Sequence, residues 1–393
     1  MAPNSIGARV RVLREDRGMT RKQLGEAIEL TEDWVKKFEE GRRQADPRIS
    51  TIRAVSKALG VSLAVLLDDE PLHPIENENE NTDTALLRAV LFAPMSGPRR
   101  RGDLDAIWRE CEHGFASYQA GRYGTLLDTL PAVITTTRAM PDDPASARAA
   151  YRAHHLASIT LMKYEGGTAA WHAAERAVDY ALTSQDPVVT ALAAQALTYT
   201  MTTIDEARTG MNNAIDYAQQ LEGALSDGSV PASTAFGMLW LKGAVAAAEC
   251  KDTDTAREML ERAEQCAKHV PLGTNYLSTG FDQLNVALYQ ASIEAALGRY
   301  APAAEAADRI GQKALSALPR ERRTHHLIET ADTYTRLRRT DDALSALLQA
   351  EQDNPREIHK RPAAREVIKQ LLLATGPVPE RLAALATRAG IQA

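Results

Sequence analysis

MTRKQLGEAIELTEDWVKKFEEGRR, residues 19–43, carries two helix starts and one stop, and this punctuation decides what the amino-terminal part of the chain can become. Thr20 followed three residues later by Gln23 forms a capping box, in which each side chain satisfies a backbone N–H that would otherwise be orphaned. The helix that begins there runs on through Leu24, Ala27 and Ile28. Thr31 repeats the signal, Val35 and Phe38 fall on the inner face of the helix it opens, and Gly41 stops it. Upstream, a helix is expected from Ile6 to Arg17 with Val10 and Leu13 inward, ended by Gly18. Downstream, Ile49 to Leu59 is stopped by Gly60, and Ser62 caps a last short helix ending at Leu67. Five short helices with a tight turn between the second and third predict a compact all-α domain over residues 1–67.

The segments Met19–Leu24, Leu30–Arg43 and Ile52–Ser62 together resemble the Xre/Cro type of phage-repressor-like helix-turn-helix domain, over residues 6–67. That resemblance implies double-stranded DNA as a partner. The third helix would enter the major groove while the second crosses the backbone. Carried over by position, Glu32, Asp33, Trp34 and Lys37 are the candidates for base contact, and Arg21, Lys36, Arg42 and Arg43 for phosphate. Lys37 suits guanine O6/N7, and Glu32 or Asp33 suits cytosine N4. The two acids equally suit the positive end of the helix dipole. Trp34 stands where the family has a small or polar residue. It either touches a thymine methyl or sugar–phosphate edge, or packs on the domain's own surface.

Charge supports the division. The net charge of −6 splits into +4 over residues 1–67 and −10 over the rest. A basic head on an acidic body suits a head that meets phosphate and a body that stays off DNA. Cys111, Cys250 and Cys266 form neither a paired framework nor a metal spacing, which fits a reducing cytoplasm. Cys250 and Cys266 either lie near each other in one helical hairpin or are buried as small hydrophobes. No apolar run approaches membrane-spanning length and no signal-peptide core is seen. The expectation is a cytoplasmic, nucleoid-associated protein with no membrane partner.

Residues 68–102 read as a linker. Asp68–Ile75 contains two prolines, and the alternating Glu76–Asn81 has nothing to bury. Pro94–Arg101 makes a second break, so residues 82–93 are expected as a separate connecting helix. Arg99–Arg101 reads either as a solvated loop or as a reach toward flanking phosphate.

From residue 103 to 393 one phrase recurs: an apolar helix, a short turn with Gly or Asp and often Tyr, then a helix opening with small residues. Turn centres at 122, 166, 205, 254, 299 and 341 are spaced 44, 39, 49, 45 and 42 residues apart. Such a period means stacked helical hairpins, each burying a face against its neighbours. The phrase resembles the tetratricopeptide repeat, best over Leu288–Ala307, Leu239–Ala267 and Leu327–Ala350, with longer units than that family's. A shorter unit, Ala363–Ala389, is expected to cap the stack. The fold class predicted is thus all-α: a five-helix lambda-repressor-like domain plus an α-solenoid of tetratricopeptide-like hairpins.

A helix-turn-helix head on such a body resembles, in architecture, the peptide-responsive regulators of Gram-positive bacteria of the Rgg, PlcR and PrgX type. The likeness implies a homodimer with a peptide or small-molecule effector in the concave groove. The first helix of each hairpin would line that groove, making Arg152, His155, Gln195, Tyr199, Trp240, Asn285 and Tyr289 the candidate ligand contacts. Asn285 stands out because an amide both donates to and accepts from a peptide backbone. The loop from Gly273 to Gly280 either borders the groove or is simply long.

No phosphate-cradling loop, nucleophile elbow or metal-spaced cluster is present in the sequence. His154–His155 and His325–His326 are adjacent, and consecutive helical residues point about 100° apart, so neither pair shares a face. An enzyme is not expected, nor any cofactor or metal. The regulator reading stands beside two others: a DNA-localised interaction scaffold, and a constitutive repressor whose repeats only dimerise.

Overall fold

A computed structural model describes residues 6–16, 19–28, 30–40, 51, 54–55, 58–59, 84–93, 102–164 and 167–391. The chain divides into two compact units, Met1–Asn77 and Glu78–Ala393. Every element among the described residues is helical.

In the first unit α1 (Ile6–Asp16), α2 (Arg21–Ala27) and α3 (Glu32–Glu39) surround Val10, Leu13, Leu24, Ile28, Val35 and Phe38, joined in the core by Val55 and Leu59. The capping box at Thr20 is formed in both directions: Gln23 N–H donates to Thr20 Oγ1 at 3.1 Å, and Thr20 N–H to Gln23 Oε1 at 2.8 Å. Thr31 Oγ1 accepts from Trp34 N–H at 3.2 Å. Between these two starts the chain turns sharply, and Leu30 N–H reaches back to the Gly25 carbonyl. A Cβ at Gly25 would stand 2.7 Å from the Leu30 carbonyl oxygen, so only glycine lets α2 and the turn approach this closely. Residues 51, 54–55 and 58–59 are helical, as expected of the fourth helix. The predicted fifth helix, Arg42 and Arg43 lie outside the described residues, as do the linker segment 68–83 and Arg99–Arg101.

Among the described residues, the second unit contains six helical hairpins. They are α5 (Leu104–Gln119) with α6 (Gly124–Arg138), α7 (Pro144–Tyr164) with α8 (Gly167–Ser184), and α9 (Pro187–Thr203) with α10 (Ala207–Leu221). Next come α11 (Val230–Glu249) with α12 (Thr253–Ala267), α13 (Gln283–Ala296) with α14 (Tyr300–Asp308), and, after the short α15 (Gln312–Ala317), α16 (Arg320–Arg336) with α17 (Thr340–Asp353). The chain closes with α18 (Pro355–His359), α19 (Pro362–Ala374) and α20 (Glu380–Arg388). Alanine explains the tightness of the stack. Ala170, Ala173, Ala174, Ala177 and Ala181 on α8, and Ala244 and Ala246–Ala248 on α11, are wholly buried and let neighbouring backbones approach.

Five of the hairpin turns share one backbone device. Gly121, Asp205, Lys251, Gly298 and Arg338 each have a positive φ, between 59° and 78°. In each case the next residue's N–H returns five positions to a helix carbonyl: Arg122 to Ser117, Glu206 to Met201, Asp252 to Ala247, Arg299 to Glu294 and Arg339 to Tyr334. This is the Schellman closure, which satisfies the last carbonyls of one helix and aims the chain back for the next.

Helix α4 (Ala85–Phe92) corrects the sequence reading. It was expected as a connecting helix within the linker, yet Leu87 and Leu91 are buried in one cluster with Ile107, Phe115 and Ile134. Arg138 donates to the carbonyls of Val90 and Ala93, and the Phe92 ring stacks on His172 at 4.7 Å. An eight-residue helix cannot be stable alone, so its apolar side packs on the nearest hairpins.

The turns give a direct test at Asp205, an exposed non-glycine with φ of 63°. Asp205→Val should destabilise the protein by about 1 kcal/mol or more, because a β-branched residue resists this conformation. Asp205→Gly should be neutral or gain up to about 0.5 kcal/mol. Urea unfolding of the two variants should separate them, and indistinguishable midpoints would refute the turn assignment.

Candidate functional site

Two regions of polar side chains stand out, one in each unit. In the first unit, Val35, Phe38 and Glu39 turn inward on α3, while Glu32, Asp33, Lys36 and Lys37 are exposed. The outward face is therefore a polar strip beginning at the capped end. Lys37 Nζ pairs with Asp33 Oδ2 at 2.6 Å, one turn away, with both side chains about half exposed or more. Trp34 stacks on Phe38, centroids 4.9 Å apart and planes 18° apart.

Arg21 is tied inward. Glu39 is fully buried and accepts from Arg14 Nε at 2.6 Å, Arg14 Nη2 at 3.1 Å and Arg21 Nε at 2.8 Å. A buried carboxylate needs such compensation, and two guanidiniums supply it. The bond fixes Arg21 at the amino end of α2 with 31% of its side chain exposed.

In the second unit the first helices of the hairpins do face one another, but the candidate residues do not line open space. Arg152, His155, Gln195, Asn285 and Tyr289 are each at most 5% exposed. His155 meets the Tyr151 hydroxyl at 3.1 Å and Gln195 at 3.4 Å. Lys242 sits 3.7 Å above the Tyr199 ring and 5.2 Å from that of Tyr289. Arg322 covers Tyr289 at 4.4 Å and donates to Asn285 Oδ1 at 3.1 Å. Tyr199, Asn285 and Tyr289 thus share one stack of cations on aromatic faces. Trp240 does not join it. Its ring tilts against Phe236, and Arg262 of α12 lies 4.9 Å above it. Two positions along a helix turn by about 200°, so Trp240 points toward its hairpin partner when Lys242 points toward the stack.

The ends of the array also meet. Lys163, at the end of α7, lies 2.6 Å from Glu321 and 3.0 Å from Glu357. Tyr123 OH donates to Glu357 at 2.6 Å and Tyr118 OH to Glu321 at 3.4 Å. Arg361 donates to Glu357 at 3.1 Å and contacts His325 at 3.0 Å. Burial pushes the Glu357 carboxyl upward, but Lys163, Arg361 and the Tyr123 hydroxyl outweigh it and hold its pKa at about 2. Burial alone would also neutralise Lys163, yet Glu321 and Glu357 raise its pKa. Sequence reasoning passed over Lys163, Lys242, Arg322, Glu321 and Glu357. The available signal was spacing: 152, 155, 159 and 163 fall on one face of α7.

Other polar features stand apart. A cavity of about 120 Å³ is lined by Thr137, Met140, Asp142, Ala150, Arg176 and Tyr180, none of them a candidate from the sequence. The three cysteines are free thiols, and burial lifts Cys111 to about 12 and Cys266 to about 11. Among the described residues no group of three His, Cys, Asp or Glu side chains could hold a metal ion. No described helix is long and apolar enough to cross a membrane.

Comparison with known proteins places a match to the family described as "Helix-turn-helix domain" at residues 5–68. An immunity repressor protein of Bacillus phage phi105 is 30% identical over 78 residues, which cover 20% of this chain and 53% of that protein. The chain thus matches about half the length of this curated relative. Among solved structures, Bacillus thuringiensis PlcR in complex with the peptide PapR7 and DNA aligns with 13% identity and a TM-score of 0.35, covering 78% of this chain and 95% of that one. ComR from S. thermophilus, in complex with DNA and its signalling peptide ComS, aligns with 12% identity and a TM-score of 0.29, covering 94% and 99%.

The buried histidines predict a pH dependence. Burial, then the charges of Arg152 and Lys242, hold His155 down at about 3, and burial holds His154 and His326 at about 4. An unfolded histidine titrates near 6.5, so below that pH the unfolded chain binds protons that the folded one refuses. The contribution of these neutral side chains is complete above pH ~6.5 and is lost as pH falls toward the folded values. Each contributes a slope of about 1.4 kcal/mol per pH unit within its window. His155→Gln should therefore reduce the acid slope of unfolding free energy by about that amount between pH ~4.5 and ~6. An unchanged slope in urea titrations would show that His155 is not held neutral.

Proposed function

We propose that the chain is a DNA-binding transcriptional regulator whose first unit docks α3 in the major groove and whose repeat unit dimerises and senses a peptide or small-molecule effector. The observation that carries the DNA reading is the exposed polar strip Glu32, Asp33, Lys36 and Lys37, held at the leading end of a helix whose opposite face is fully packed. The helix-turn-helix match over residues 5–68 and the likeness to a phage repressor support it. Lys37 and Asp33 lie one turn apart, so one donates to guanine O6/N7 and the other accepts from cytosine N4 of the same base pair, exchanging their mutual bond for two base contacts. Glu32 and Trp34 flank this pair, the ring being stacked on Phe38. Lys36 serves phosphate, as does Arg21, which Glu39 pre-positions. Arg42 and Arg43 complete the phosphate contacts in this reading.

In the repeat unit, Arg152, His155, Gln195, Tyr199, Asn285 and Tyr289 form the interior on which an effector acts. Their mutual pairing also favours a second reading, a constitutive regulator in which the repeats serve only to bring two heads together.

An operator selected from random duplexes with the wild-type protein permits the test. Lys37→Ala should weaken binding by about 1–3 kcal/mol, roughly 5- to 150-fold, and relax preference at one base pair. Unchanged affinity and unchanged preference together would overturn the docking. Sedimentation that finds only monomer at micromolar concentration would remove the two-headed arrangement.

A further inference from the structure

Residues 270–282, between α12 and α13, form a strap that reaches the first two hairpins of the array. Gln119 and Asn275 exchange amide bonds, Gln119 Nε2 to Asn275 Oδ1 at 3.1 Å and Asn275 Nδ2 to Gln119 Oε1 at 3.0 Å. Gln119 Nε2 also donates to the Ser278 carbonyl at 3.0 Å. Arg152 gives Nη1 to the Leu277 carbonyl at 2.9 Å and Nη2 to Ser278 Oγ at 3.0 Å. Arg152 is itself wholly buried. Its guanidinium lies 3.4 Å from the centroid of Phe115, and Glu112 holds its remaining edge at 2.8–2.9 Å.

Glu112, Phe115 and Gln119 fall at i, i+3 and i+7 on α5, so with Arg152 they make a single platform. What this platform reads is main chain: two consecutive carbonyls, together with one hydroxyl and one side-chain amide. Nothing in it requires that the segment belong to the same polypeptide. The occupant is moreover strained, since Leu277 and Ser278 are consecutive non-glycine residues with φ of 45° and 64°. Its fixed points lie at its ends, where Gly273 N–H donates to Asp282 at 2.8 Å and Phe281 fills the space that a Cβ on Gly237 would need. Between those points the segment is held to the first two hairpins by Gln119 and Arg152.

We propose that Glu112, Phe115, Gln119 and Arg152 form a peptide-binding site, filled in this structure by residues 275–278 of the chain's own strap. The ligand is a short peptide that presents two consecutive carbonyls and a hydroxyl or amide side chain and takes the strap's place. This deepens the sensing reading above and rests on it for its consequence: displacement cuts the tie between the α12–α13 connection and the first two hairpins. An intramolecular occupant competes at a high effective concentration, so the site's apparent affinity in the intact chain is lowered by the small fraction with the strap released.

The probe is a labelled synthetic peptide, LGTNYLSTGF, corresponding to residues 272–281. It is titrated against the full-length protein and against a full-length variant with residues 274–279 replaced by a Gly-Ser linker of equal length. The linker variant should bind at least tenfold tighter than the wild type, and Arg152→Ala or Gln119→Ala added to it should reverse that gain. A linker variant that unfolds as cooperatively as the wild type yet binds no better would overturn the site. Should the linker variant fail to fold, Gln119→Ala in the intact chain should speed hydrogen exchange at residues 274–280 at least tenfold, and unchanged exchange would refute the proposal. Operator affinity is measured separately. Peptide binding that leaves operator affinity unmoved would support the site and sink the sensing role, whereas absent peptide binding with intact operator binding would sink the site alone.

Discussion

A single ammonium group at the end of α7 sets the form of the repeat unit. Lys163 is 6% exposed, and a buried cation persists only where carboxylates and hydrogen bonds replace its water. Its partners, Glu321 and Glu357, lie more than 150 residues further along the chain. The hairpins between them must therefore stack with a curvature that brings the sixth hairpin and α18 back to the first two. The Schellman turns supply the repeated reversal, the buried alanines supply the close approach, and the Lys163 cluster fixes where the curve ends.

The same closure changes what the interior can be. An open superhelix offers its inner stripe to solvent and ligand alike. Here the stripe is occupied by its own pairings: His155 with Tyr151 and Gln195, Lys242 with Tyr199 and Tyr289, Arg322 with Asn285. Each pairing satisfies polar groups that burial would otherwise penalise, so the interior is stable without any guest. Any ligand must offer at least equivalent partners. The strap shows the kind of group the platform at Arg152 accepts, because it meets Arg152 and Gln119 through main-chain carbonyls, a hydroxyl and an amide.

The first unit follows a different economy of charge. Glu39 is buried but makes its bonds to Arg14 and Arg21 within one small domain, and the cations are close in sequence to the helix starts they secure. Its outer strip carries Asp33 and Lys37 as an exposed pair, which contributes little to stability and can be exchanged for other partners at small cost.

Local signals in the sequence determined much of this protein. The caps at Thr20 and Thr31, the inward Val35 and Phe38, and the period of the turns are written in residues within a few positions of one another, because capping and helical periodicity act over one or two turns. The stripe Arg152, His155, Asn285 and Tyr289 was legible for the same reason. Tertiary structure alone decided the rest. Whether that stripe lines a groove or pairs with itself depends on curvature summed over six hairpins. The membership of Ala85–Phe92 in the repeat core depends on which apolar surface lies nearest in space. The roles of Lys163, Lys242 and Arg322 depend on partners more than 30 and up to nearly 200 residues away. Electrostatic and packing energies are set by distance through space, and no local pattern encodes a distance that only the completed stack creates.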